Sequence, residues 1–144
     1  MTPKQVALVQ DSFAKVALSQ AAAVLFYDRL FDIAPHLKAM FPDDMIEQRR
    51  KLMTMLAGVV KGLGNLEQVL PAASALAKRH VSYGAKAEHY PVVGAALLWT
   101  LEKGLGDGWT PEVADAWDTA YGAMSGYMIS EAYGRNQVPN KDIP

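Results

Sequence analysis

A chain of 144 residues is long enough for a single domain that buries about 68–70% of its unfolded surface in one core, so it requires no disulfide or metal staple. Fourteen basic against fifteen acidic side chains, with a pI near 6.3, leave no excess field for nucleic acid or an anionic membrane. The absence of cysteine removes disulfides, zinc–thiolate sites and thiol catalysis together, so any metal is held by histidine or carboxylate or carried inside a cofactor.

The first twenty residues contain no signal-type apolar segment, and no apolar run reaches about 18 residues. The expectation is a soluble, cytoplasmic protein, monomeric or weakly dimeric, with neither a nucleic-acid nor a membrane partner. Thr2-Pro3-Lys4-Gln5 reads as a capping box with proline at the first helical position. It opens a helix with the stripe Val6, Val9, Phe13, Val16 that ends near Leu18. A second helix over residues 21–33 has Leu25, Phe26, Leu30 and Ile33 as candidate inward positions and stops before Pro35, because a residue preceding proline resists the helical region. Residues 35–42 form a turn-rich piece that delivers Phe41 at a corner.

Asp44 and Glu47 suggest a helix start of the Asp-x-x-Glu kind, followed by Leu52, Met55 or Leu56, Val59 and Leu63 on one face as far as Gly62 or Gly64. Asn65 to Gln68 begins a short turn of helix, and Pro71 predicts a break and a fresh start there. Counting back from His80 in steps of three and four gives Leu76, Ala73, Leu70 or Val69 and Leu66, so the histidine lies on the apolar stripe. An imidazole in that position needs a hydrogen-bond partner or a metal, since leaving it bare costs about 1–3 kcal/mol, and spacing alone does not choose between the two. Gly84 is the expected stop.

Pro91 falls early in the next helix, whose stripe is Val92 or Val93, Ala96, Leu97, Leu101 and Leu105; Gly104, Gly106 and Gly108 interrupt it. Thr110-Pro111 caps the last helix, with Val113, Trp117, Tyr121, Met124 and Met128 inward. Residues 134–144 are polar, contain two prolines and read as a loose tail. No segment alternates with period two. The fold class is all-α, with seven or eight unequal helices and proline-broken corners that suit mixed-angle packing better than an up-down bundle.

Six segments, in this order and spacing, resemble the bacterial globins, above all the globin domain of flavohaemoglobins and their single-domain relatives. They are Phe26-Tyr27-Asp28-Arg29-Leu30-Phe31, Leu37-Lys38-Ala39-Met40-Phe41, Gln48-Arg49-Arg50-Lys51-Leu52, Lys78-Arg79-His80, Glu88-His89-Tyr90-Pro91-Val92-Val93-Gly94 and Ala116-Trp117-Asp118-Thr119-Ala120-Tyr121-Gly122. The resemblance covers about residues 4–133 and implies a globin domain over residues 1–133, folded around a haem b pocket. It implies that His80 is the proximal iron ligand and that Phe41 packs flat on the porphyrin. Tyr27 and Gln48 match the distal polar residues that reach the bound gas, and Leu52 the apolar residue over the iron. Tyr90 matches a tyrosine that orients the proximal ring, and Leu56, Val93 and Leu97 join the cofactor-binding set.

The function so implied is reversible binding of O2, NO and CO at a pentacoordinate iron, for oxygen storage or delivery or for handling nitric oxide. Two alternatives stand beside it: a nitric oxide dioxygenase fed by an external reductase, since 144 residues leave no room for flavin and nicotinamide domains, and a gas or redox sensor. One position departs from the family pattern. The flavohaemoglobin glutamate that hydrogen-bonds the proximal histidine falls here on Ala132, and the nearest acid, Glu131, is turned about 100° around a helix, which predicts that it faces solvent. His36 reads as a surface residue and His89 as solvated or, at most, in contact with a haem propionate. Arg49, Arg50, Lys51 and Arg79 read as a solvated basic face or as partners for those propionates.

Overall fold

A computed structural model describes residues 1–17, 21–82 and 86–133. Among these residues there are six α-helices and no strand: α1 Pro3–Ala17, α2 Ala21–Ile33, α3 Ile46–Lys61, α4 Leu66–Ser82, α5 His89–Leu105 and α6 Pro111–Tyr133. Short 3-10 helices at Pro35–Met40, Gly62–Asn65 and Gly106–Gly108 join them. No helix among the described residues is long and apolar enough to cross a membrane. The anticipated end near Leu18, the stop at Gly84 and the tail 134–144 lie outside the described residues.

The helix starts show how far local chemistry goes. The first capping box is closed at both ends: the Thr2 N–H donates to Gln5 Oε1 at 3.0 Å and the Gln5 N–H to Thr2 Oγ1 at 3.1 Å. Thr110 Oγ1 likewise accepts the Val113 N–H at the start of α6. The Asp44–Glu47 box does not close. Asp44 accepts the Ile46 N–H at 3.0 Å, whereas Glu47 turns outward to a two-point ion pair with Arg50. A nearby guanidinium competes for the carboxylate more strongly than one backbone N–H.

Two further expectations are corrected by packing. Pro71 does not restart a helix: α4 runs through it unbroken. Proline there removes only one N–H near the helix start, and the buried stripe Val69, Ala73, Ala77 spans the position and packs against α6, holding the two sides in line. In α2 the inward set is Ala22, Ala23, Phe26, Tyr27 and Leu30, while Leu25 and Ile33 are 36% and 39% exposed. A helix apolar on nearly every side does not declare its inward face, and contact with α5 decides it.

The core joins Val9, Phe13 and Val16 of α1 to Phe26 and Leu30 of α2, Leu97 and Leu101 of α5 and Val113, Ala116, Trp117 and Ala120 of α6. Its polar seam is a buried relay in which Trp117 Nε1–H donates to Ser12 Oγ at 2.8 Å and Ser12 donates back to the Leu8 carbonyl at 2.6 Å. Gln10 of α1 reaches the Val60 and Lys61 carbonyls and satisfies the C-terminal end of α3. At the next residue a side chain on Gly62 would collide with the stiff Cγ2 of Val69, so glycine lets α4 turn tightly away from α3.

The relay makes a stability prediction. Ser12→Ala leaves the Trp117 N–H buried without an acceptor and lowers unfolding free energy by about 1–3 kcal/mol, whereas removing both partners, Ser12→Ala with Trp117→Phe, costs less than the sum of the single changes. Urea unfolding of the three variants measures the coupling; strictly additive losses would show that the hydrogen bond carries none of it.

Candidate functional site

α3 and α4 follow one another in sequence but make little contact: α3 packs on α1 and α2, and α4 on α6. Beside this divergence several apolar side chains are only half-buried. Phe41, Leu52, Leu56 and Val93 all lie against the core cluster without being enclosed by it, and α3 contributes a single fully buried side chain, Val60. Leu97 is buried at the inner end of the set. Leu52, Leu56 and Leu97 also line a small apolar cavity together with Phe13, Phe26 and Leu101. Apolar surface placed in this way gains free energy when a flat apolar group covers it, at about 25 cal/mol per Å².

On the α4 side, His80 follows Val69, Ala73 and Ala77 on one stripe and is half-buried. Its Nδ1 lies 2.7 Å from the Leu76 carbonyl oxygen. A carbonyl can only accept, so Nδ1 carries a proton, and in the neutral form of the ring the lone pair lies on Nε2. A metal-binding imidazole is commonly oriented in this way, by one ring nitrogen tied to a backbone oxygen. The Tyr90 ring lies beside it, 6.5 Å between centroids. Tyr90 is buried, and its own carbonyl accepts the Tyr121 hydroxyl of α6. Gly94, one turn along α5, leaves the room that the Tyr121 ring occupies. Burial, then the neighbouring Tyr90, raises the Tyr121 phenol above its ordinary range.

On the other side, Tyr27 is 5% exposed within an aromatic cluster. Phe26 and Phe41 meet its ring edge-on at 4.9 and 5.6 Å, and Phe31, one turn along α2, lies 5.9 Å away. Gln48 Nε2 donates to the Tyr27 hydroxyl oxygen at 3.1 Å. Desolvation raises the Tyr27 pKa above 10.0 despite the opposing hydrogen bond from Gln48 and the charge of Arg49, so the hydroxyl stays protonated across the neutral range. A phenol accepting from Gln48 keeps its own O–H to donate elsewhere.

Sequence reasoning missed three partners. Phe31 was legible as the i+4 neighbour of Tyr27, but the Leu76 carbonyl, being backbone, left no signal. Glu131 is exposed as anticipated, yet it is not left to water: it accepts the Ser74 hydroxyl at 2.7 Å, tying α6 to α4 below His80. Of the basic group, Arg50 is taken by Glu47.

The globin family model matches residues 24–128. A flavohemoprotein from Bacillus subtilis is 33% identical over 107 residues, covering 72% of this chain and 27% of its own length. One from Rhodopirellula baltica is 31% identical over 133 residues, covering 90% of this chain and 33% of its own. The chain thus spans about a quarter to a third of the curated relatives it matches. Among solved structures, a bacterial globin from Campylobacter jejuni superposes with a TM-score of 0.81 at 27% identity, over 92% of this chain and 96% of that one. An engineered carbene transferase, described as a putative nitric oxide dioxygenase from Rhodothermus marinus, gives 0.83 at 22% identity, over 96% and 97%.

The raised phenols set an alkaline limit. Tyr27 and Tyr121 ionise at their ordinary pKa near 10.0 in the unfolded chain and at higher pH in the folded one. The unfolded state therefore releases protons first, and stability falls as pH rises from about 10 toward the folded values. Tyr27→Phe should flatten that fall and remove one late-ionising group from the tyrosinate absorbance titration; loss of a group that ionises near its ordinary pKa of 10.0 would place Tyr27 in water.

Proposed function

The chain belongs to the globin family, and on that footing we propose that it holds one haem b non-covalently through His80 and reversibly binds O2, and with it NO and CO, at an iron left five-coordinate. The observation that carries this reading is the His80 Nδ1–Leu76 bond, which leaves Nε2 as the basic ring nitrogen. Phe41, Leu52, Leu56, Val93 and Leu97 supply the apolar walls that a porphyrin requires, and Tyr90 steadies the imidazole from beside it. Without cysteine no thioether attachment is available. When bound, haem iron supplies the Lewis-acid centre that takes up a diatomic ligand.

The distal residues then act in sequence. Gln48 donates to the Tyr27 oxygen and orients it, Tyr27 offers its retained proton to the negative end of the ligand, and the surrounding phenylalanines keep water from competing. Gln48 is thus a positioning residue acting through Tyr27. A second reading, nitric oxide dioxygenation with electrons from a partner reductase, is supported by the likeness to flavohemoproteins. The Glu131 carboxylate, engaged by Ser74, favours ligand binding over turnover, because it is not offered as a proximal partner at the position where Ala132 replaces the family's glutamate.

Visible spectra of the purified protein in ferric, ferrous, O2 and CO forms test the reading directly. His80→Ala should remain largely helical and lose haem or hold it loosely; spectra identical to wild type would remove His80 from the iron. A hydrogen bond to a polarised acceptor contributes about 1.5–3 kcal/mol, and about 1.4 kcal/mol is tenfold in a constant. Tyr27→Phe should therefore release O2 about ten- to a hundredfold faster while CO release changes little, with Gln48→Leu acting in the same direction more weakly. Stopped-flow rates decide, since equal acceleration for both gases means a steric effect. Sustained NO consumption with an added reductase would favour the dioxygenase.

A further inference from the structure

The chain contains three histidines, and the pocket uses one. The fold brings the other two together. His36, on the 3-10 helix Pro35–Met40, and His89, the first residue of α5, have ring centroids 6.3 Å apart and ring planes inclined at 53°. His36 is exposed and His89 half-buried, so both are open to water. The backbone N–H of Lys86 donates to His89 Nδ1 at 3.1 Å, a bond given up when Nε2 takes an ion.

We propose that His36 and His89 form a binding site for a single divalent transition-metal ion of the zinc–copper class, separate from the haem pocket, with water completing the coordination shell. Imidazole suits these ions, and the chain has no thiolate to compete for them. A metal sits about 2.0–2.1 Å from an imidazole nitrogen, so two rings on one ion have centroids roughly 5 Å apart at a tetrahedral angle and a little over 6 Å when they face each other across it. The observed 6.3 Å lies at the wide end of that range.

No group of three or more His, Cys, Asp or Glu placed to hold a metal occurs among the described residues, so the protein supplies two nitrogens and solvent the remainder. Coordination at Nε2 of His89 moves its ring proton to Nδ1 and frees the Lys86 N–H, which is exposed and turns to water at little cost. The site has a structural reach. His89 immediately precedes Tyr90, whose ring lies beside His80, so an ion bridging His36 and His89 ties the 3-10 helix to the first turn of the helix that carries Tyr90.

Zinc titrated by calorimetry into wild type, His36→Ala and His89→Ala tests the site without reference to haem. The expected result is one ion per chain in wild type with roughly micromolar affinity, weakened at least tenfold in each variant, since each removes one of two protein ligands. Both substitutions are at water-accessible positions, and unchanged thermal unfolding checks that they leave the fold intact. His36→Asp, which keeps a ligand in place, should retain more affinity than His36→Ala. No binding by wild type at millimolar zinc, or binding that survives both alanine substitutions, overturns the assignment.

Discussion

One hydrogen bond organises the site, that between the His80 ring and the carbonyl of Leu76. In an α-helix that carbonyl already receives the N–H of the residue four positions on, so its second lone pair takes the ring. The cost is small and the effect is large: rotation, tautomer and the direction of the basic nitrogen are settled by the helix that bears the residue. The bond has value only if α4 is itself rigid. It is held by Val69, Ala73 and Ala77 against α6, continues through Pro71, and is pinned by Ser74 to Glu131.

The opposite wall is assembled differently. Tyr27 and Gln48 come from different helices and meet through one hydrogen bond. Tyr27 is set by α2 packing on α5, Gln48 by the start of α3, where Asp44 caps the first turn and Glu47 turns away to Arg50. Space between the two walls depends on small residues. Gly62 allows the chain to swing from α3 into α4 beside Val69, and Gly94 admits the Tyr121 ring that supports Tyr90 from behind. Leu52 and Leu56 along α3 pack against the core while staying only half-buried.

Much of this was legible from the residues. The Thr2 and Thr110 starts and the α1 stripe were read from spacing and capping chemistry, because those interactions are local. The errors share a cause. Pro71 was read as a break, Leu25 and Ile33 as inward, and Asp44 with Glu47 as a closed box. In each case a preference within one segment was overruled by something outside its local rule: a neighbouring helix in the first two, a competing guanidinium in the third.

By itself, the sequence determined the fold class, the family and, apart from the start of α4, the positions of the helices to within a turn, since helical periodicity and the order of short motifs are properties of the chain alone. What only the tertiary structure decided is which atoms meet: the Leu76 oxygen behind His80, Gln48 on Tyr27, Ser74 on Glu131 and His36 beside His89. Apart from the first, those pairs join residues far apart in the chain, and their geometry depends on the angles at which helices cross. Those angles are set by summed side-chain packing, which no single segment encodes.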